Sequence, residues 1–289
     1  MIGINALCVR CLVDKHTEAA HAIDPVKAVD FCREMLELVK NGVGCSNSSC
    51  VDARINDLYV KHFGLPQDRY VEEKRKSNAF VVPRLPAIRA LVEQQPDPVF
   101  AALQFAILGN YLDFSALKGQ VSFEKLEDML KSALSMELDK KVYESFCAEL
   151  SVAKTLLYIT DNAGEIGFDR VLAQQLQRRF PHLTITFCVR GLPALNDATR
   201  ADAACCGIEF PIVDTGNDIG GVDLPSLGKE ARDALHNADV ILTKGMGNVE
   251  TLYGCGLNIY YAFLVKCPRL MEVFQKPLLT PMFIKEKNG

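Results

Sequence analysis

Apolar side chains recur at helical spacing in the first half of the chain. Asp24-Pro25 is typical of a helix start and Asn41-Gly42 of a helix end. Between them, the apolar stripe consists of Val26, Val29, Leu36 and Val39. Ser122 begins a second amphipathic segment with Phe123, Leu126, Leu130 and Ala133 on one face, and an apolar helix is predicted around residues 100–112. We therefore expect residues 1–150 to form a helical domain.

Short apolar runs alternate with amphipathic segments after residue 150. Strands are predicted at residues 155–160, 183–189, 208–213, 239–243, 258–266 and 278–284, and helices at about 165–180 and 229–237. The first strand, TLLYIT, is apolar at consecutive positions, which is typical of strands buried on both faces. This alternation predicts a mostly parallel sheet with right-handed crossovers, and thus an α/β domain over residues 151–289.

Composition and charge exclude several classes of protein. The 289 residues are 49% hydrophobic and 24% charged, which suffices for a core and argues against disorder. A net charge of −4 predicts neither nucleic acid nor an anionic membrane as a partner. The longest apolar run, residues 99–108, is too short to cross a bilayer, and the first residues lack the pattern of a secretory signal. We expect a cytoplasmic protein, and the sequence does not indicate its oligomeric state.

The eleven cysteines indicate buried thiols and not a disulfide scaffold. Tetrahedral zinc tolerates the spacings within a set formed by Cys8, Cys11, Cys45 and Cys50. The gap of 33 residues between the two pairs is nevertheless long for a compact finger, so free thiols are the favoured interpretation. His16 and His21 are five residues apart and do not share a helix face as paired metal ligands do, so we expect both at the surface.

Polar residues follow three of the predicted strands directly. These residues are Asp161, Asn162 and Glu165, then Asn196 and Asp197, then Lys244, Gly245 and Asn248. Ligands of open parallel sheets bind beyond the carboxyl ends of the strands, so these groups are expected to meet at one edge. Their oxygens suit a hard divalent cation, while a lysine and backbone N–H groups suit an anion. Each group alone could cap a helix or form a turn, but three together favour a site for metal and phosphate.

Several segments resemble the damage-control phosphatase family, whose eukaryotic members are called ARMT-like. TDNAGEIGFDR (residues 160–170), LNDATRADA (195–203) and TKGMGNVETL (243–252) resemble its signature blocks. DRYVEEKRKSN (68–78) and GNYLDF (109–114) resemble N-terminal blocks of the microbial branch, in which a cysteine pair such as Cys8 and Cys11 is common. The matching segments occur in the same order and span most of the chain.

The resemblance implies a metal-dependent phosphatase of small phosphorylated metabolites, with a helical domain beside a Rossmann-like α/β/α sandwich. It implies one divalent ion (magnesium, manganese, cobalt or nickel), and no nucleotide cofactor is expected. By the match to family positions, the metal ligands are Asp161, Asn162 and Asp197, the phosphate-binding lysine is Lys244, and the residues lining the cleft are Asn78, Asn110 and Asp113. The chain departs from the family at Arg69, usually proline, and at Arg190, often lysine.

A hydrolytic mechanism follows as a hypothesis. A metal-activated water would attack the phosphate, while Lys244 and the loop amides between Gly245 and Asn248 would neutralise charge on its oxygens. Covalent attack by Asp161 is disfavoured because the Asp-x-Asp pair of aspartyl-phosphate phosphatases is absent. Glu165, Asp169 and Glu250 are expected to be structural residues or supports of the site. Two other functions stay open: an S-adenosylmethionine-dependent carboxyl methyltransferase, and a non-catalytic protein that binds a phosphometabolite or metal.

Overall fold

Helices form the chain up to residue 150 in the computed structural model, which describes residues 2–42, 47–113 and 122–286. Their bounds are Ala6–Ile23 (α1), Lys27–Gly42 (α2), Ser48–Phe63 (α3), Val71–Val81 (α4), Leu85–Glu93 (α5), Pro98–Gly109 (α6), Phe123–Lys131 (α7) and Lys140–Leu150 (α8). Side chains accept backbone N–H bonds as N-caps at Asn5, Asn47, Asp97, Ser122 and Asp139. Within the described segments, we find no helix with both the length and the apolarity that a membrane span requires.

A six-stranded sheet dominates the second half. Its strands are Thr155–Ile159 (β1), Thr184–Val189 (β2), Ile212–Asp214 (β3), Val240–Lys244 (β4), Ile259–Leu264 (β5) and Pro281–Lys285 (β6). The helices between them are Glu165–Arg179 (α9), Arg200–Cys205 (α10), Lys229–Asn237 (α11), Met246–Leu252 (α12) and Pro268–Phe274 (α13). The spatial order is β3-β2-β1-β4-β5-β6, and every pair is parallel except β5 with β6. The predicted α/β class with a mostly parallel sheet is confirmed.

Alternate residues of the strands face two different layers of helices. Leu156 and Tyr158 of β1 belong to a hydrophobic cluster with residues of α6 and α9. Leu157 and Ile159 belong to another cluster with residues of α11 and α12. Both faces of β1 are therefore covered, which explains why this strand is apolar at consecutive positions. The three layers form the α/β/α sandwich that the family resemblance implies.

The hydrophobic clusters divide the chain differently from its secondary structure. Helices α1, α2 and α3 share a cluster of their own, which includes Phe31 and Tyr59. Helices α5, α6 and α8 belong instead to the cluster that covers one face of the sheet. Helices α6 and α9 lie so close that a Cβ at Gly109 would be 2.5 Å from the Phe168 ring. The secondary structure thus changes at residue 150, but one hydrophobic core includes residues from both sides of it. The domain boundary at residue 150 stays a prediction.

The buried face of α2 differs from the predicted one. Val26, Val29 and Leu36 are exposed by 80, 53 and 50% of their surface. The helix buries Val39 of the predicted stripe, but its other buried apolar side chains are Ala28, Phe31 and Met35. The ring of Phe31 lies 4.6 Å from that of Tyr59 and 5.5 Å from that of Phe63, both on α3. Aromatic packing between two helices decides which face is buried, and the periodicity of one helix does not reveal it.

His16 is buried, contrary to the predicted surface position, whereas His21 is exposed as expected. The ring of His16 lies inside the α1–α3 cluster, where Nε2 is 2.5 Å from Asp52 Oδ1 and Nδ1 is 3.2 Å from the Tyr59 hydroxyl. A histidine with partners for both ring nitrogens is tolerated in a helical core. The partners lie on α3, some forty residues further along the chain, so the local sequence gives no sign of them.

Strand β3 begins later than predicted for residues 208–213. Gly207 adopts a left-handed conformation (φ 70°), and the Ile208 N–H donates to the Ala203 carbonyl, so these residues still close helix α10. Pro211 has no N–H to donate to a neighbouring strand. Pairing with β2 therefore starts at Ile212.

Candidate active site

The loops after β1, β2 and β4 meet at the carboxyl edge of the sheet, as expected for neighbouring parallel strands. The backbone of Asn162 forms an antiparallel bridge with Asp197, and the Ala198 N–H donates to the Asp161 carbonyl over 2.7 Å. Gly245 (φ 77°) approaches so closely that a Cβ would lie 1.9 Å from Asp161 Oδ2. Only glycine fits this position, both for its conformation and for the space that the carboxylate needs.

Amide groups hold the carboxylate of Asp161. Its Oδ2 accepts from Asn110 Nδ2 at 2.8 Å and from Asn162 Nδ2 at 2.7 Å. Asn162 also donates from Nδ2 to Glu165 Oε2 at 2.7 Å, and its Oδ1 accepts from Asn196 Nδ2 at 2.7 Å. None of the described lysine, arginine or histidine side chains forms an ion pair with Asp161. The Asp161 carboxyl is thus oriented by neutral donors and has no ion-pair partner among the described residues.

Arg190 holds the second carboxylate of the edge. Its Nε donates to Asp197 Oδ2 over 2.6 Å, and both residues are buried. Burial raises the pKa of Asp161 well above its usual range, and the neighbouring carboxylates of Asp197 and Glu165 raise it further. Burial also raises the pKa of Asp197, although the guanidinium of Arg190 acts in the opposite direction. The edge therefore carries more negative charge than its one guanidinium balances.

Lys244 lies behind this edge. Its ammonium donates to Glu165 Oε1 at 2.6 Å, Asp169 Oδ1 at 3.0 Å and the Ala106 carbonyl at 2.7 Å, which uses its three N–H groups. The side chain is fully buried, and the two carboxylates raise the lysine pKa although burial alone would lower it. In this arrangement the lysine orders two carboxylates between α6 and α9. Its predicted contact with a substrate phosphate stays a prediction that this geometry does not favour.

Two of the three predicted substrate-binding asparagines, Asn248 and Asn110, connect segments of the fold around the carboxylate edge. Asn248 Nδ2 donates to the carbonyls of Thr160 and Lys244, at 3.0 and 2.7 Å, and Oδ1 accepts from Arg190 Nη2 at 3.1 Å. Asn110 Oδ1 accepts from the Leu264 N–H at 3.1 Å, in addition to the bond that its Nδ2 donates to Asp161. These amides position the loops from behind.

Asn78 fixes the loop after β1 from helix α4. Its Oδ1 accepts from the Gly164 N–H at 2.7 Å, and its Nδ2 donates to Asp202 Oδ1 at 2.9 Å. Asn78 lines a cavity of about 610 Å³ between α4 and α10, and the carboxylate edge lines a different one. The structure therefore separates Asn78 from the predicted metal ligands.

A cleft of about 150 Å³ lies between the carboxylate edge and the N-terminal helices. Of the predicted site residues, Asp113, Asp161 and Asp197 line it, whereas Asn110, Asn162, Lys244, Gly245 and Asn248 are buried around it. Helices α1 and α3 form the opposite wall with Cys8, Cys11, Lys15, Ser48 and Asp52. Glu250 of α12 and Arg269 of α13 also line the cleft. Carboxylates thus face two cationic side chains, Lys15 and Arg269, across a small space.

The residues at the edge fit a divalent cation. Asp161 and Asp197 offer buried carboxylates and Asn162 an amide, an all-oxygen donor set of the kind that Mg²⁺ and Mn²⁺ prefer. Across residues 2–42, 47–113 and 122–286, we find no group of three or more histidine, cysteine, aspartate or glutamate side chains arranged to hold a metal. Magnesium is commonly held by one or two carboxylates, with waters and substrate phosphate completing its ligands. Two carboxylates and surplus negative charge match that mode of binding.

The cysteines give no support to a second metal site. Cys45 lies outside the described residues, and the three other members of the predicted set, Cys8, Cys11 and Cys50, form no metal-binding group in the part that the structure describes. The preference for thiols over zinc stays a prediction.

Lys266 is a residue of the site that the sequence analysis did not single out. Lys266 Nζ donates to Asp113 Oδ2 at 2.6 Å and to the Asn110 carbonyl at 2.7 Å, so it fixes the segment after α6. Lys266 lies two residues beyond the end of β5. Because the strand was predicted to extend to residue 266, Lys266 was not considered as a residue of the loop that follows it. The sequence pattern that could have indicated Lys266 is the one that indicated Lys244, namely a lysine at the carboxyl end of a buried strand.

Comparison with known proteins agrees with this geometry. The model of the damage-control phosphatase ARMT1-like domain matches residues 4–278. A damage-control phosphatase of Archaeoglobus fulgidus is 31% identical over 271 residues, 91% of this chain and 92% of that one. An uncharacterised protein of Methanocaldococcus jannaschii is 30% identical over 282 residues, 94% and 91% of the two chains. The crystal structure of a DUF89 family protein from Pyrococcus horikoshii superimposes with a TM-score of 0.85 at 26% identity, covering 99% of this chain and all of that one. This chain belongs to the damage-control phosphatase family with an ARMT1-like domain.

Proposed function

We propose that this chain is a metal-dependent phosphomonoesterase that acts on small phosphorylated metabolites. The observation that carries the proposal is the pair of buried carboxylates, Asp161 and Asp197, which line one cleft with surplus negative charge. Membership of a phosphatase family supports the same reaction class. The cleft of about 150 Å³ is smaller than the roughly 300 Å³ at which sites for drug-sized ligands begin, which favours a small metabolite.

Asp161, Asn162 and Asp197 would hold one divalent ion, either magnesium, manganese, cobalt or nickel. When bound, such an ion polarises a phosphoryl oxygen and lowers the pKa of a coordinated water. The chain's own contribution is rigidity, because the amides of Asn110 and Asn162 fix Asp161 and the guanidinium of Arg190 fixes Asp197. Groups held in place before the substrate arrives need no reorganisation during the reaction.

Lys244 and Asn248 would act as positioning residues. Lys244 holds Glu165 and Asp169, and Glu165 in turn accepts from Asn162. Asn248 bonds the carbonyls that end β1 and β4, so the two loops keep their spacing. Substitution of either residue would displace the ligands without removing them.

Arg269 and Lys15 would receive the anionic substrate. Both line the cleft, and Arg269 Nε is buried without a hydrogen-bond partner among the described residues. A guanidinium can donate to phosphate oxygens through its N–H groups, and the Arg269 side chain lines the cleft. Lys15 already donates to both oxygens of Asp52, at 3.1 and 3.3 Å, and adds positive charge to the same wall.

A methyltransferase is the less favoured function. Binding of a nucleoside against the loop after β1 would need glycines facing the ligand. Gly164 is the glycine of that loop, and a Cβ there would lie 2.9 Å from the Ser77 backbone of α4. The absence of a side chain at Gly164 therefore allows the loop to pack against α4, and this glycine does not provide a surface against which a nucleoside could lie.

Phosphate release from a panel of sugar phosphates tests the proposal. The purified chain is assayed with Mg²⁺, Mn²⁺, Co²⁺ or Ni²⁺ and after chelation, alongside Asp161→Ala and, as a control, Asp30→Ala at an exposed position of α2. We expect metal-dependent release by the wild type and the control and none by Asp161→Ala. Undiminished release after chelation would contradict the metal requirement. Tight binding of phosphate esters without turnover would indicate a non-catalytic binder, and binding of S-adenosylmethionine in calorimetry a methyltransferase.

A further inference from the structure

Glu250 is a cleft carboxyl to which the mechanism above gives no task. It lies in the last turn of α12, six residues after Lys244, and 9% of its surface is exposed. Its Oε2 accepts a short hydrogen bond from the Ser48 hydroxyl of α3. Its Oε1 has no hydrogen-bond partner within the described segments, and the residue lines the same cleft as Asp161 and Asp197. The carboxyl is thus anchored to α3 through one oxygen and lines the cleft that the metal-binding edge also lines.

The other cleft carboxylates are committed to cations or to the metal position. Asp52 pairs with Lys15 and His16, and Asp113 pairs with Lys266. Asp161 and Asp197 form the metal-binding edge. Glu250 differs because it forms no ion pair with any lysine, arginine or histidine that the structure describes. It is therefore the cleft carboxyl that is committed neither to a cation nor to the proposed metal position.

Several ionisable groups surround Glu250, from α1, α3, the segment after α6 and the N-terminal end of α13. These are Cys8, Asp52, Asp113, Cys267 and Arg269. Burial raises the pKa of the Glu250 carboxyl to about 7, with Ser48 and Arg269 lowering it and Asp52 and Asp113 raising it. A carboxyl with such a pKa is protonated in a large fraction of molecules at neutral pH, which suits a general acid.

We propose that Glu250 is the general acid that protonates the leaving oxygen of the substrate. The inference rests on the proposed phosphatase function. Water forms the new bond to phosphorus, the bond from phosphorus to the ester oxygen breaks, and its electron pair stays on that oxygen. The ester oxygen takes the proton from the Glu250 carboxyl and leaves as an alcohol. Water loses a proton as it becomes part of inorganic phosphate, and the Glu250 carboxylate recovers a proton from solvent.

Two substrates with different leaving groups separate this role from a structural one. An alkyl phosphate, such as a sugar phosphate, releases a strongly basic alkoxide unless it is protonated, whereas p-nitrophenyl phosphate releases a stable phenolate. We expect Glu250→Gln, which keeps the shape and an oxygen for Ser48, to lower kcat for the alkyl phosphate by about 10²-fold or more. The same variant should hydrolyse p-nitrophenyl phosphate at nearly the wild-type rate.

The pH profile supplies a second readout. With the alkyl phosphate, wild-type kcat/KM should fall as the pH rises through about 7, because the required acid loses its proton. This basic limb should be missing in Glu250→Gln. In Ser48→Ala the Glu250 carboxylate loses a hydrogen bond that stabilises its charged form, so its pKa should rise. The decrease of kcat/KM should then occur at higher pH, and the variant should still hydrolyse the alkyl phosphate at lower pH. Glu18→Gln, at an exposed position of α1, controls for the loss of a charge.

Each outcome decides between the alternatives. Equal losses on both substrates would show that Glu250 only joins α12 to α3, and unchanged turnover of both would show that it has no role; either result overturns the proton donor. If the wild type itself releases no phosphate from either substrate with any divalent metal, the proposed function fails and this inference with it. Active wild type with an unaffected Glu250→Gln variant overturns the inference alone.

Discussion

Asp52 and Asp161 are buried carboxylates on opposite walls of one cleft, and their surroundings have opposite character. Asp52, on α3, accepts from Lys15 at 3.1 and 3.3 Å and is 2.5 Å from His16 Nε2. Asp161, after β1, accepts only from the neutral amides of Asn110 and Asn162 among the described residues. One carboxylate is neutralised within the fold, and the other is held in place without a counter-charge.

The pKa values of the two groups move in opposite directions. Burial alone would raise the pKa of Asp52, but Lys15 and His16 outweigh it and hold that pKa well below its usual range. Burial and the nearby Asp197 and Glu165 raise the pKa of Asp161. Asp161 and Asp197 have one guanidinium, that of Arg190, between them, and a fold gains little from such a pair, so it indicates a ligand. A carboxylate paired with its own cations, such as Asp52, indicates structure. Four substitutions test this distinction.

The largest expected effect is on activity. Asp161→Asn should reduce metal-dependent phosphate release by about 10³-fold, because one of the two anionic metal ligands becomes neutral. Asp52→Asn should lower the rate far less, because Asp52 is not among the groups proposed to hold the metal. Comparable losses of phosphate release in the two variants, measured at saturating metal, would contradict the assignment of Asp161 to metal binding and of Asp52 to structure.

The next effect concerns stability. Asp52→Ala should lower the free energy of unfolding by about 3 kcal/mol, since it removes the buried carboxylate that pairs with both Lys15 and His16. Asp161→Asn should leave the stability of the metal-free protein unchanged or raise it, because it removes one of two like charges. Urea denaturation without metal measures both. A strong destabilisation by Asp161→Asn would mean that its carboxylate is structural.

The two carboxylates should also give pH dependences of opposite sign. A carboxyl whose pKa is raised on folding stabilises the folded state while protonated, and this contribution is lost as the pH rises above its ordinary value of 3.8. Wild type should therefore lose stability relative to Asp161→Asn as the pH rises. Asp52 has a lowered pKa, so its contribution is present above 3.8 and is lost on acidification, and wild type should lose stability relative to Asp52→Asn as the pH falls. Slopes of the same sign would contradict the assigned pKa directions.

The sequence allowed the carboxylate edge to be predicted because strand ends determine it. Asp161 and Asp197 come after adjacent parallel strands, so both belong to the same edge of the sheet, although Asp197 reaches Asp161 only because its loop folds back to form a bridge with Asn162. Lys244 shows the limit of that reasoning. Val240, Leu242 and Lys244 alternate on the face of the sheet that α6 and α9 cover, so a strand one residue longer than predicted would have placed the lysine in the core.

The opposite wall of the cleft was beyond such reasoning. Ser48 meets Glu250 across 202 residues of sequence, and Lys15 meets Asp52 across 37. Contacts of this kind depend on how α1 and α3 dock onto the sheet, which no local periodicity encodes. The same cause underlies the misassigned face of α2 and the unexpected burial of His16.

The smallest expected effect concerns Arg69, which replaces the proline usual in the family. Its guanidinium lies 3.7 Å from the centre of the Tyr59 ring, and its Nε donates to Asn56 Oδ1 over 2.7 Å. Tyr59 is also a neighbour of His16, so this surface arginine covers the compensated cluster around Asp52. Arg69→Met should lower the free energy of unfolding by about 1 kcal/mol, the size of a partly desolvated cation–π contact, with phosphate release unchanged. Urea denaturation and the phosphate assay measure the two quantities, and a loss of activity without a loss of stability would mean that the N-terminal wall contributes to catalysis through this residue.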